Sequence, residues 1–110
     1  MAELRADYDR LKQQLLELDF ICQGTLTTRH ERCGHRNCRC RADPPQLHGP
    51  YHLLTRKLQG KTSTLRIPAD LLPLYQRYVS NRQRLQAILD RMLETSDIAL
   101  KVELVDNRTS

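Results

Sequence analysis

The chain has 110 residues, 39% hydrophobic and 28% charged, with no Trp, one Phe and a net charge of +5. So few aromatics exclude a large packed core, and a chain this short gains from a bound metal, oligomerisation or a long helical seam. No run of about 18 apolar residues exists, which excludes a transmembrane helix, and the charged start MAELRADYDRLK does not read as a signal peptide. The expectation is a cytoplasmic protein, where clustered cysteines favour a metal over a disulfide.

Charge is uneven. Residues 1–28 hold five acidic and three basic side chains, and residues 62–110 are nearly balanced. Residues 29–61 hold eight basic (Arg29, Arg32, Arg36, Arg39, Arg41, Arg56, Lys57, Lys61) and only two acidic, Glu31 and Asp43. Such a localised excess is the footprint of a polyanion partner.

In chain order, Leu4, Tyr8, Leu11, Leu15, Leu18 and Cys22 recur at steps of four and three. That spacing predicts a coiled-coil helix over 1–23, with Gly24 as its stop and Cys22 buried on the seam. TLTTRHER, residues 25–32, suits a short strand. CGHRNCRC follows over 33–40, then ADPPQLHGP over 42–50, whose prolines and glycine predict an irregular loop. YHLLTRKL and TSTLRIP, either side of Gln59–Lys61, read as a hairpin. Pro68 is placed to open the last helix. There Leu71, Tyr75, Tyr78, Arg82, Leu85, Leu89 and Met92 form a second heptad seam, with Arg82 as a polar break. IALKVELV fits either helix or strand, and DNRTS reads as a frayed tail. The expected fold is α+β: two long heptad-patterned helices over 1–23 and 68–110, flanking a small antiparallel sheet with a zinc-knuckle loop over 24–67. The seams can pair within one chain or between chains.

The cysteines carry the chemistry. Zn2+ takes four soft or borderline ligands in a tetrahedron. Cys33, Cys38 and Cys40 offer three, and Gly34 is positioned to let the chain turn after the first. The fourth ligand is Cys22 or one of His30, His35, His48 and His52; His48 is best placed, in a loop that can fold back over the cysteines. A disulfide would leave an odd thiol, and a nucleophilic cysteine would want a paired histidine and a pocket. Two other motifs fail. Gly60–Lys61–Thr62 lacks the upstream glycine of a phosphate-binding loop. His48 and His52, with Pro50 between them, lack the spacing of the histidine pair in single-strand nucleases. No carboxylate pair lies near the cysteines, so a binding protein is expected rather than an enzyme or a small-molecule site.

Cys33-Gly34, Asn37-Cys38, Cys40, His48-Gly49-Pro50-Tyr51, Leu54, Gly60-Lys61-Thr62 and Ile67-Pro68 with Leu71 together resemble a small uncharacterised family of bacterial and archaeal proteins. Its members tend to occur with transposons and other mobile elements. The likeness spans about residues 24–79 and implies a metal set of Cys33, Cys38, Cys40 and His48, with Cys22 outside it. More loosely, the order of basic strands, GK turn and helix is similar to the arm-type DNA-binding domains of tyrosine recombinases. The expected function is a zinc-stabilised nucleic-acid-binding accessory protein, with DNA the favoured partner. Arg29, Arg32, Arg36, Arg39, Arg41, Arg56, Lys57, Lys61 and Arg66 would contact the nucleic acid, and the helices would form a homo-oligomer or dock on a larger complex. The alternative is a protein-interaction adaptor whose arginines meet an acidic protein surface.

Overall fold

The computed structural model describes residues 1–109. The order is helix α1 (Ala2–Leu16), strand β1 (Thr25–Glu31), a short 3-10 turn (Arg39–Arg41), strands β2 (His48–Leu58) and β3 (Lys61–Ile67), a second 3-10 turn (Ala69–Leu71), and helix α2 (Leu72–Thr109). The class is α+β, with one antiparallel sheet in the order β1-β2-β3. The chain divides into two compact units: Gln23–Val79, and Met1–Cys22 with the part of α2 from Ser80 onward.

In the first of these units, β2 is the central strand. Leu54 lies opposite Leu26 on β1 and Leu65 on β3. Since side chains alternate across a strand, Leu26, Leu54, Leu65, His52 and Ile67 share one face. Leu54 and Ile67 are fully buried on it, and Val79 is buried in the same unit. The β2–β3 connection is the two residues Gln59 and Gly60, at φ 51 and 79. Positive φ at both positions is the tight hairpin turn whose twist matches its strands.

Three expectations about this unit change. His48–Gly49–Pro50 does not stay irregular; it forms the start of β2. Arg29 pairs with Tyr51 and Glu31 with His48, so two steps along β1 face three along β2. That bulge absorbs the proline, which has no N–H to give the ladder. Gly24 does not cap a helix: at φ +144 it turns the chain into β1, and a Cβ there would lie 2.7 Å from Leu54 Cδ1. Pro68 opens the 3-10 turn, and α2 begins at Leu72.

In the other unit α1 is short, 15 residues rather than the expected run to residue 23. The N–H groups of Glu17 and Leu18 turn back to Gln14 O and Leu15 O, tightening the last turn. Beyond them stand Asp19, Phe20, Ile21 and Cys22, poor helix formers, and the last turn of α1 has no basic residue to offset Glu17 at its negative end. Cys22 therefore lies outside any helix, half-buried. Leu4, Tyr8, Leu11, Leu15 and Leu18 are nonetheless the sheltered positions, with Leu11 fully buried. α1 runs antiparallel to α2. Met1, Leu4 and Tyr8 share a groove with Thr95, Ser96 and Ala99, and Leu15 and Leu18 share one with Leu85. Asn81 Nδ2 donates to Phe20 O at 2.9 Å. Ile88 is the buried residue on the α2 side, whereas Leu71 and Leu89 of the expected seam are exposed. α2 is 38 residues long and continues through IALKVELV and on to Thr109, so most of DNRTS is helical rather than frayed; Ser110 lies outside the described residues. No helix among the described residues is long and apolar enough to cross a membrane.

Candidate metal centre

Cys33, Cys38, Cys40 and His48 converge. One ligand atom from each lies within 4.8 Å of all the others. Cys33 follows the end of β1, Cys38 and Cys40 flank and enter the 3-10 turn, and His48 opens β2. The turn is locally fixed: Arg41 N–H and Ala42 N–H donate to Cys38 O and Arg39 O, and Gln46 N–H returns to Arg39 O at 3.0 Å. Arg41 Nη2 also donates to Cys33 O at 2.9 Å, tying the first ligand to the third. Arg41 thus braces the loop while its side chain remains exposed. Gly34 has no structural demand on it: its φ is not positive, and an added Cβ would meet nothing. The turn after the first ligand does not depend on glycine, against expectation. Gly49 is the one that matters, at φ +133, with a Cβ site 2.8 Å from Arg29 O.

Cys33 Sγ lies 3.6 Å from Cys40 Sγ, and Cys38 Sγ lies 3.0 Å from His48 Nε2. A tetrahedral zinc with thiolates at about 2.3 Å and an imidazole at about 2.0 Å sets S···S near about 3.8 Å and S···N near about 3.6 Å. The quartet needs shifts of an ångström or less to meet that shape, so the residues fit a metal ion. Cys40 is completely buried and Cys33, Cys38 and His48 are half-buried, as suits a closed, structural site rather than an open catalytic one.

The electrostatics fit the same chemistry. The Cys38 thiol is pulled down from 9.0 to about 6, first by the Cys40 backbone N–H and then by the Cys33 side chain, with the Cys40 thiol and His48 adding to both. The Cys33 thiol is raised: the His35 N–H lowers it, but burial and the neighbouring Cys38 and Cys40 sulfurs outweigh that. One thiolate is ready near neutral pH, and a cation arriving there would displace the other protons. The remaining candidates stand elsewhere. His52 is hydrogen-bonded to Thr28 Oγ1 at 3.1 Å on the buried face of the sheet. His30 and His35 are exposed and, like Cys22, do not join the quartet.

The basic residues divide by sheet face. Arg29 on β1, Lys57 on β2 and Arg66 on β3 share the open face with Thr25, Thr27, Thr55, Thr62 and Thr64; all three cations are exposed. Arg29 pairs loosely with Glu31 at 3.8 Å. Arg56 and Lys61 fall on the opposite face by alternation, and Arg56 Nε is buried without a hydrogen bond. Arg32, Arg36 and Arg39 are exposed on the cysteine loop. Tyr51, also on the open face, carries the Arg66 guanidinium 4.2 Å above its ring centre. Adjacent residues in a strand point oppositely, and which of Arg56 and Lys57 faces out follows from Leu54, buried two residues before Arg56.

No curated protein and no solved structure matches the chain. One family model does, across residues 1–77, which takes in α1, the sheet, the whole Cys/His quartet and the start of α2. On that match the chain belongs to the DUF6788 family, a domain of unknown function.

Proposed function

We propose that the protein is a zinc-stabilised nucleic-acid-binding accessory factor, non-enzymatic, with DNA as the favoured partner. The observation that carries this reading is the open sheet face. Three exposed cations, one from each strand, stand among threonines with no carboxylate on that face except Glu31 at its edge. Arginine and lysine grip phosphates, and threonine hydroxyls add neutral hydrogen bonds to the backbone. Zinc is the ion assigned to the quartet, because three thiolates and an imidazole in a closed tetrahedron suit it. Its role here is structural, holding the arginine-bearing loop against the sheet. A place in a DNA-processing complex of a mobile element, in the cytoplasm, accords with the family likeness.

The helices supply a second reading, favoured by one observation. Leu93, Leu100 and Leu104 of α2 are 63%, 61% and 53% exposed, an apolar run that α1 leaves uncovered. It suits self-association or docking on a larger complex, and in the adaptor alternative it would be the main contact. The test is a salt series: zinc-loaded protein against labelled duplex and single-stranded DNA. Binding whose log affinity falls with log salt at about −0.7 to −0.9 per phosphate contacted, with the slope lowered by about 1 in Lys57→Ala, supports the nucleic-acid reading. Absence of binding at low salt leaves the adaptor.

A further inference from the structure

Next to the metal quartet a cleft of about 320 Å3 opens on the exposed sheet face, walled by Glu31, Arg32, Tyr51, Leu53 and Arg66 and ending at Cys33 and His48. That volume is at the small end of the range for nucleotide-sized ligands. Its walls differ in kind. The Arg66 guanidinium stands over Tyr51, 4.2 Å from its ring centre, a cation–π contact that leaves its N–H donors available to a ligand. Leu53, directly opposite Arg66 in the β2–β3 register, is an apolar floor. Glu31 supplies a carboxylate, acceptor-only when ionised. Arg32 adds a second cation at the rim.

We infer that this cleft holds one unpaired guanine nucleotide. Guanine presents two acceptors, O6 and N7, on one edge, which match the arginine fork. Its neighbouring edge presents donors, N1–H and the 2-amino group, which match the Glu31 carboxylate. Adenine offers a donor where the fork needs an acceptor. In a duplex the donor edge is occupied by cytosine, so the guanine must come from a single-stranded or splayed segment, the form in which bases are commonly read edge-on by proteins. Arg32 is placed for the attached phosphate. The strand that delivers the base rests on the nucleic-acid reading above; the selectivity of the cleft does not.

The test uses the full zinc-loaded chain and fluorescence anisotropy with short thymidine strands carrying one central guanine, adenine, inosine or 7-deazaguanine. The guanine strand is expected to bind about tenfold tighter than all-thymidine, the order of one good bidentate contact. Inosine, lacking the amino group, and 7-deazaguanine, lacking N7, should each lose most of that gain. Arg66→Lys keeps the charge and removes the fork; it should abolish the guanine preference, with guanine and adenine strands binding alike, while zinc content stays at one per chain. Glu31→Ala should restore inosine to parity with guanine. Equal binding of all four strands overturns the guanine cleft while the nucleic-acid reading stands. Binding of no strand, together with no saturable binding of guanosine monophosphate, overturns both. Guanosine monophosphate that binds alone as tightly as the guanine strand supports the cleft and assigns it to a free nucleotide.

Discussion

Gly49→Ala is the sharpest probe of how the sheet builds the metal site. Gly49 sits at φ +133, where a side chain is strained by about 1–3 kcal/mol. Its new Cβ would also fall 2.8 Å from Arg29 O and 3.3 Å from His30 Cα. Both are backbone atoms of β1, so relief comes only by pushing β1 and β2 apart at the bulge. Losing good geometry in one ladder hydrogen bond adds about 1 kcal/mol, giving about 3 kcal/mol in all. At a urea m-value of about 2 kcal/mol/M, the unfolding midpoint should drop by about 1.5 M. His48 is the preceding residue, so zinc affinity, read by competition with a chromogenic chelator, should fall about 10- to 100-fold, as when ligand-orienting groups are lost. Gly34→Ala is the control. It lies between ligands too, but meets nothing and needs no special φ, so its stability should stay within about 0.5 kcal/mol. If Gly49→Ala keeps the wild-type midpoint and zinc affinity, or if Gly34→Ala loses as much, the assignment of strain to Gly49 is refuted.

Three further outcomes follow. Cys38→Ser should lose stoichiometric metal, measured by mass spectrometry under native conditions, and lower the urea midpoint of the Gln23–Val79 unit to that of the metal-free wild type or below, because metal binding adds folding energy there; full zinc retention would sink the ligand set. In the metal-free protein, Cys38 should be alkylated first, with a midpoint near pH 6, and Cys33 later. Its depressed pKa means the Cys38 thiolate contributes stability fully present above pH 9 and lost as pH falls through about 6, so a metal-free urea midpoint that is flat across that window argues against it. Leu54→Ala removes the buried centre of the sheet (1% exposed) and should cost about 2–5 kcal/mol by urea unfolding, whereas Leu65→Ala, opposite it but exposed at the edge strand, should cost well under half as much.

The convergence of Cys33, Cys38, Cys40 and His48 was legible because it depends on spacing along the chain and on donor chemistry, both of which a sequence carries directly. Three cysteines in eight residues leave few ways to satisfy a tetrahedron, and His48 lies within one loop length of them. The three strands were equally legible, since β-branched runs around a Gln–Gly turn encode a hairpin locally. The length of α1 was not. Heptad spacing continues to Cys22, yet the helix stops at Leu16, because Glu17 and Asp19 oppose the helix dipole and the residues after them favour extended backbone. Periodicity marked the buried face correctly while overstating how far the backbone would sustain it.

The least legible feature was which cations share a face. A strand's facing is fixed by its register, and a one-residue slip inverts every side chain. On β2 the facing from Tyr51 to Leu58 follows from Leu54 at the sheet's buried centre, and the bulge, where Gly49 and Pro50 oppose the single residue His30, shifts only the start of the strand. With Leu54 inward, alternation puts Lys57 with Arg29 and Arg66 on the open side, and turns Arg56 to the buried face with its Nε unpaired. The same alternation sets Tyr51 on the open face, with Arg66 over its ring, while the bulge places His48 opposite Glu31, in the Cys/His quartet. The Gly-Pro pair therefore couples two properties that the sequence presents as separate motifs. It sets the offset between His48 in the Cys/His quartet and Tyr51 on the cleft wall, so a substitution that repairs the bulge into a regular ladder should move His48 relative to both the quartet and the cleft.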